Sequence, residues 1–260
     1  MKALILNSGL GSRMGVLTSE HPKCMTDISE KETILSRQLN LLAKNGITDV
    51  VITTGYFDKV LIDYCHSLNL PINFSFIKNE KYGETNYIYS IYCAREALND
   101  DIILMHGDLV FEDQVLKDAI SNEKSCMVVD STLKLPEKDF KAVVHSGKID
   151  KVGIEFFTDA VAAQPLYKLN KEDWQKWLAE ISKFCEEGTV RCYAEKAFNV
   201  VSDRCHIYPL DEQGLLCSEI DNPEDLSVVT KRLYELEKSQ GNSVVYCTGE
   251  SEDCLAENNK

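Results

Sequence analysis

The sequence predicts an α/β fold built on a mostly parallel sheet with helices on both faces. Three observations carry that expectation: short apolar runs suited to buried strands, amphipathic helical stretches between them, and glycines at several junctions. With 260 residues, 44% of them hydrophobic, the chain can bury one sizeable core.

Residues 2–7 are a short apolar run of the buried-strand type. Residues 33–45 (TILSRQLNLLAKN) place Ile34, Leu35, Leu39 and Leu42 near helical spacing, and Gly46 follows as a stop. Residues 49–54 (DVVITT) read as a second strand closed by Gly55, residues 59–68 as a helix, and 72–77 as an alternating strand. Helical periodicity returns at 86–98 (NYIYSIYCAREAL) and strand character at 101–105 (DIILM). A short helix at 115–121 and a strand at 125–130 follow. Ligands of such sheets bind beyond the carboxyl ends of the strands. The turn at Gly9 and Gly11 and the segment His106-Gly107-Asp108 both fall at such ends.

The second half is less regular. Residues 141–157 read as a hairpin around Ser146-Gly147. Residues 172–185 form an amphipathic helix, and 222–240 another, capped by Asn222 with Pro223 at its first position. An apolar patch at 244–246 precedes an acidic end, 249–260, expected to fray. With no repeat and no linker-like tract, the expectation is one domain over residues 1–240. Within it, about 132–217 are expected to form a substrate-binding subregion, and 241–260 a C-terminal tail.

The formal net charge is −14 and the pI about 4.8. So acidic a surface repels nucleic acid and anionic membranes, and no apolar stretch approaches a membrane span. The N-terminus has no signal-type charged and apolar regions. Ten cysteines are scattered without a C-x-x-C pair or matching histidine spacing, which argues against zinc. They read as reduced thiols in a cytoplasmic protein.

Several residues have the chemistry of an anion site. Gly9-Leu10-Gly11-Ser12-Arg13, after a strand, offers backbone N–H groups and a guanidinium to a phosphate. The same stretch also reads as an ordinary strand-to-helix turn, since Met14 stands where the dinucleotide pattern needs a third glycine. Lys23, behind Pro22, adds a second cation; the plainer reading is a solvated loop lysine. Asp108 at a strand end and Asp221 before a helix suit Mg²⁺ shared with phosphates. Their plainer readings are a turn residue and a helix cap. Asn86 likewise reads as a helix N-cap.

Taken together, Gly9-Leu10-Gly11-Ser12-Arg13, Pro22-Lys23, Asn86-x-x-x-Ser90, Gly107-Asp108 and Glu219-Ile220-Asp221 resemble the nucleotidyltransferase superfamily. Its members join a nucleoside triphosphate to a phosphorylated small molecule and release pyrophosphate. The resemblance runs from residue 1 to about 226 and is strongest to bacterial cytidylyltransferases that activate phosphocholine or 2-aminoethylphosphonate. It implies a Rossmann-like three-layer fold, Mg²⁺ as cofactor, and CTP with a small phosphorylated or phosphonylated acceptor as partners; it leaves a homodimer open.

By position, the resemblance gives Ser8, Gly9, Asn86 and Ser90 to the pyrimidine and Gly11, Ser12, Arg13 and Lys23 to the triphosphate. Lys23 and Arg13 become catalytic through charge neutralisation, and Asp108 and Asp221 bind Mg²⁺. The implied step is in-line attack of an acceptor oxygen on the α-phosphorus of CTP. That oxygen is already anionic, so no general base is required.

At the acceptor end the chain departs from the phosphocholine pattern, whose tryptophans fall near Phe140 and Ala194. Trp174 and Trp177 lie instead on the 172–185 helix, where core packing is expected. Phe140, Tyr193 and Tyr208 can form a partial aromatic cage. Lys141 is expected at the acceptor phosphate or phosphonate, and Glu195 at a primary amine. A sugar-1-phosphate transferase and a catalytically silent nucleotide-binding domain are the alternative readings.

Overall fold

Strand β1 (Lys2–Leu6) continues into a turn. Helix α1 (Ile34–Lys44) then leads to strand β2 (Asp49–Thr54), helix α2 (Asp58–Ser67) and strand β3 (Asn73–Lys78). Helix α3 (Tyr87–Ala94), strands β4 (Ile102–His106) and β5 (Leu109–Phe111), helix α4 (Asp113–Ser121) and strand β6 (Cys126–Asp130) complete the first half. This computed structural model describes residues 1–9 and 11–239, without the side chain of Ser12. Leu10 and the expected tail, with its apolar patch at 244–246, lie outside the described residues.

Local chemistry sets the boundaries. The Thr33 hydroxyl accepts the Ser36 amide while the Ser36 hydroxyl accepts the Thr33 amide, a reciprocal cap that starts α1. Leu35, Leu39 and Leu42 then fall on its buried face. In the second half, β7 (Lys141–His145) and β8 (Lys148–Gly153) form the expected hairpin. Its turn residues Ser146 and Gly147 have φ of 50° and 75°, as a tight primed turn requires. Strand β9 (Ala160–Leu169), helices α5 (Lys171–Glu186) and α6 (Glu195–Val201), strands β10 (Tyr208–Asp211) and β11 (Cys217–Glu219), and helix α7 (Pro223–Ser239) follow.

The main sheet runs β10-β6-β9-β4-β1-β2-β3, with the β7–β8 hairpin joined to β9. Strand β1 pairs in parallel with β2 and β4, β2 with β3, and β6 with β10. Strand β9 is antiparallel to both neighbours, β4 and β6. The mostly parallel sheet was therefore legible in the sequence, but β9, β10 and the short pair β5–β11 were not.

Alternate strand residues face opposite layers. Ala3, Ile5, Val50, Ile52, Ile103 and Met105 pack beneath α1, α2 and α4. Leu4, Leu6, Val51, Ile102 and Leu104 face α3, α5 and α6. Trp174 and Trp177 are both fully buried there and donate their indole N–H groups to the Leu98 and Ala194 carbonyls. The cysteines among the described residues are all free. No helix among them is long and apolar enough to cross a membrane.

Candidate active site

The carboxyl ends of β1 and β4 open into one cavity of about 450 Å³. Gly107, just after β4, lies so near β1's continuation that a Cβ there would sit 1.6 Å from Asn7 Oδ1. Only glycine allows that approach. Gly11 has φ of 63°, and a Cβ there would sit 3.0 Å from the Lys23 Cβ, so glycine is what lets the turn lie close over the lysine. Pro22, extended at φ −68° and ψ 155°, feeds the short 3-10 turn Lys23–Met25.

The two aspartates are brought together by the β5–β11 ribbon. Leu109 pairs with Glu219, and the Ile220 amide donates to the Asp108 carbonyl at 3.0 Å. Asn222 and Asp225 supply the cap of α7: the Asn222 side chain accepts the Glu224 and Asp225 amides, while Asp225 accepts the Asp221 amide. The Asp221 carboxylate is thereby left for the cavity, so the helix-cap reading does not account for it.

Lys23 bridges the pair. Its Nζ contacts Asp108 Oδ2 and lies 2.7 Å from Asp221 Oδ1, while Arg13 Nη1 stands 2.6 Å from Asp221 Oδ2. Burial opposes the charge on Lys23, but the two carboxylates outweigh it and raise its pKa. Burial likewise opposes the Asp108 charge, and Lys23 followed by His106 holds its pKa below the ordinary value.

The other Asp108 oxygen, Oδ1, is buried without a hydrogen-bond partner among the described residues. Such an orphaned hard oxygen, with a second carboxylate across Lys23, fits a cation such as Mg²⁺. His106 Nδ1 lies 2.8 Å from Glu219 Oε1, and ligand atoms of His106, Asp108 and Glu219 lie within 4.8 Å of one another. Burial would lower the His106 pKa; the Glu219 hydrogen bond and charge, with Asp108 and Glu195 behind, raise it to about 9.

At the other expected ligand, Ser8 and Asn86 line the cavity with Gly9. Asn86 also caps α3, its Oδ1 accepting the Tyr87 amide at 2.7 Å. Ser90 does not share that wall. It is 1% exposed, and its hydroxyl meets Ser8 Oγ at 2.6 Å and Asn79 Nδ2 at 3.0 Å, so it supports Ser8 from behind.

The aromatic end keeps two of its expected members and loses others. Phe140 and Tyr193 are in the wall, ring centroids 5.2 Å apart. Tyr208 sits instead on β10 under Lys124. Lys141 departs from expectation: it is fully buried, donates to the Pro136 carbonyl at 2.5 Å and lies over the Phe157 ring. Glu195 departs too, because both its oxygens are engaged by Tyr87 and Tyr167.

Sequence reasoning passed over Tyr87, which lines the cavity 4.8 Å from the His106 ring and 5.8 Å from that of Tyr193. Its position directly after Asn86 was the available signal. Asp139 was passed over as well; it faces the cavity, and burial with the charges of Asp221 and Asp225 raises its pKa.

The glycine turn, Lys23 and the carboxylates of Asp108 and Asp221 thus share one cavity at the carboxyl ends of β1 and β4. Residues 3–134 match the MobA-like NTP transferase domain, and the chain belongs to that family. A CTP:phosphoglutamine cytidylyltransferase of Campylobacter jejuni is 33% identical over 148 residues, 54% of this chain and 57% of that protein. A CMP-5'-(3-aminopropyl)phosphonate synthase of Streptomyces rubellomurinus is 32% identical over 117 residues, 45% of this chain but only 18% of that longer protein. The chain thus spans less than two thirds of either relative. The CTP:phosphocholine cytidylyltransferase of Streptococcus pneumoniae shares the fold, with a TM-score of 0.71 over 89% of this chain and 98% of that one at 22% identity.

Proposed function

We propose that this chain transfers CMP from CTP to a small phosphorylated or phosphonylated amino alcohol, of the phosphocholine or 2-aminoethylphosphonate type, and releases pyrophosphate. The observation that carries the reading is Lys23 lodged between Asp108 and Asp221 beneath the glycine turn, in a cavity whose far wall is aromatic. The names of the cytidylyltransferase relatives support CTP as the donor.

In this reading Asn86 keeps its Nδ2 to donate to the cytosine acceptors, and the Ser8-Gly9 backbone lies beside the same edge. Lys23 and Arg13 neutralise charge on the triphosphate, and the attacking acceptor oxygen needs no base because it is already anionic. Asp108 and Asp221 would hold Mg²⁺, which when bound supplies Lewis-acid neutralisation of phosphate charge.

The test is pyrophosphate release with CTP, UTP or GTP against phosphocholine, 2-aminoethylphosphonate, phosphoglutamine, glucose-1-phosphate and mannose-1-phosphate. The expected result is CTP-dependent release with an amino-bearing acceptor. Release only with a sugar-1-phosphate would replace the acceptor class. CTP binding with no release from any acceptor would favour a silent nucleotide-binding domain.

A further inference from the structure

Glu195 is an acid in a place unfavourable to acids. It starts α6, is 2% exposed, and follows Ala194, whose carbonyl is held by Trp177. A buried carboxylate needs strong donors. Glu195 has two, both phenols: Tyr167 of β9 donates to Oε1 at 2.9 Å, and Tyr87 donates to Oε2. Burial and the neighbouring Glu195 charge push both phenols up, so they remain protonated donors.

The two tyrosines differ in what lies beyond them. Tyr167 belongs to the core, packed on Trp177. The Tyr87 ring is part of the cavity wall, between Asn86 at the nucleotide end and Tyr193 and Phe140 at the aromatic end. We infer that Glu195 is a positioning residue: it fixes the Tyr87 ring, and through it the aromatic wall against which the organic part of the acceptor sits. The inference rests on the reaction proposed above for the identity of the molecule using that wall. A mere staple between α3, α6 and β9 would alter stability without separating acceptor capture from CTP binding.

Two variants test this. Glu195→Leu removes both acceptor oxygens and so both phenol bonds; Tyr87→Phe removes the Tyr87 bond alone and leaves the carboxylate tied to Tyr167. Each is expected to raise the KM of an acceptor used by the wild type about tenfold, the worth of one buried hydrogen bond. The dissociation constant for CTP, measured by calorimetry without acceptor, stays within about twofold of the wild type on the same basis. The double variant is expected to be no worse than the singles. Unchanged acceptor KM in both variants, or an equal loss of CTP affinity, overturns the inference.

A second readout needs no turnover. In fluorotyrosine-labelled protein the Tyr87 resonance, assigned by its loss in Tyr87→Phe, should sharpen and move toward the solvent-exposed value in Glu195→Leu. A resonance that does not move overturns the positioning role even when every acceptor is silent. Silence of the wild type with every acceptor, by contrast, overturns only the proposed reaction.

Discussion

Lys23 holds two carboxylates that a divalent cation would claim in the proposed reaction. Its ammonium contacts both Asp108 and Asp221, so it occupies the electrostatic place of that cation in the free protein. Removing it strips Asp108 of its ammonium partner and leaves Asp221 with the exposed Arg13 alone. Lys23→Met is therefore expected to bind Mn²⁺ more tightly than the wild type in the absence of nucleotide, by about tenfold, read by electron paramagnetic titration. The same variant should lose about a thousandfold or more in pyrophosphate release, since transition-state charge goes unneutralised. An unchanged Mn²⁺ affinity would mean that Lys23 does not compete for the carboxylates.

Helices α1 and α4 are tied by a single acid. Asp113, the first residue of α4, lies 2.7 Å from Lys44, 2.8 Å from Lys117 and 2.7 Å from Asn45. Burial opposes its charge, but the hydrogen bonds from Lys117, Lys44 and Asn45 hold its pKa well below the ordinary carboxylate value. A depressed carboxylate stabilises the fold above its unfolded pKa, about 4, and that contribution is lost as the pH falls toward the folded value. Both lysines are largely exposed, which limits the contribution to about 1 kcal/mol. Asp113→Asn should therefore narrow the gap in urea stability between about pH 6 and about pH 3. An identical acid limb in wild type and variant would rule out the clamp.

The elements also mark where sequence reasoning reaches and where it stops. Helix α1 was legible because Leu35, Leu39 and Leu42 repeat on one face between a cap and Gly46. The positions of the glycine turn and Asp108 were legible because both follow strands, whereas Asp221 reaches the cavity through the β5–β11 ribbon, which was not. Strand β9 was not: it carries Pro165, which argues against an interior strand. The structure accommodates it where the register with β6 slips between Met127 and Val129. Lys141, expected at the acceptor phosphate because it follows Phe140, is instead left buried beside the Pro136 carbonyl by its register with Gly153 and Ala162. Tyr87 was hidden by its own helix, since an aromatic in an apolar stripe reads as core.

At the scale of the whole molecule, β9 decides how the chain comes apart. It comes from the second half yet stands between β4 and β6 of the first, antiparallel to both. Releasing it would strip hydrogen-bond partners from two interior strands at once and uncover the face where Leu104 and Met127 pack with Tyr167 and Trp177. Two-state unfolding is not the default for 260 residues, since chains of that size commonly populate intermediates. Here the interleaved sheet requires it of the described fold. Both tryptophans sit on α5, so their fluorescence reports the second half, while far-UV circular dichroism reports helices and strands throughout. Urea midpoints from the two probes are expected to coincide. A tryptophan transition at lower urea would show the second half leaving first, with β4 and β6 able to persist without the strand between them.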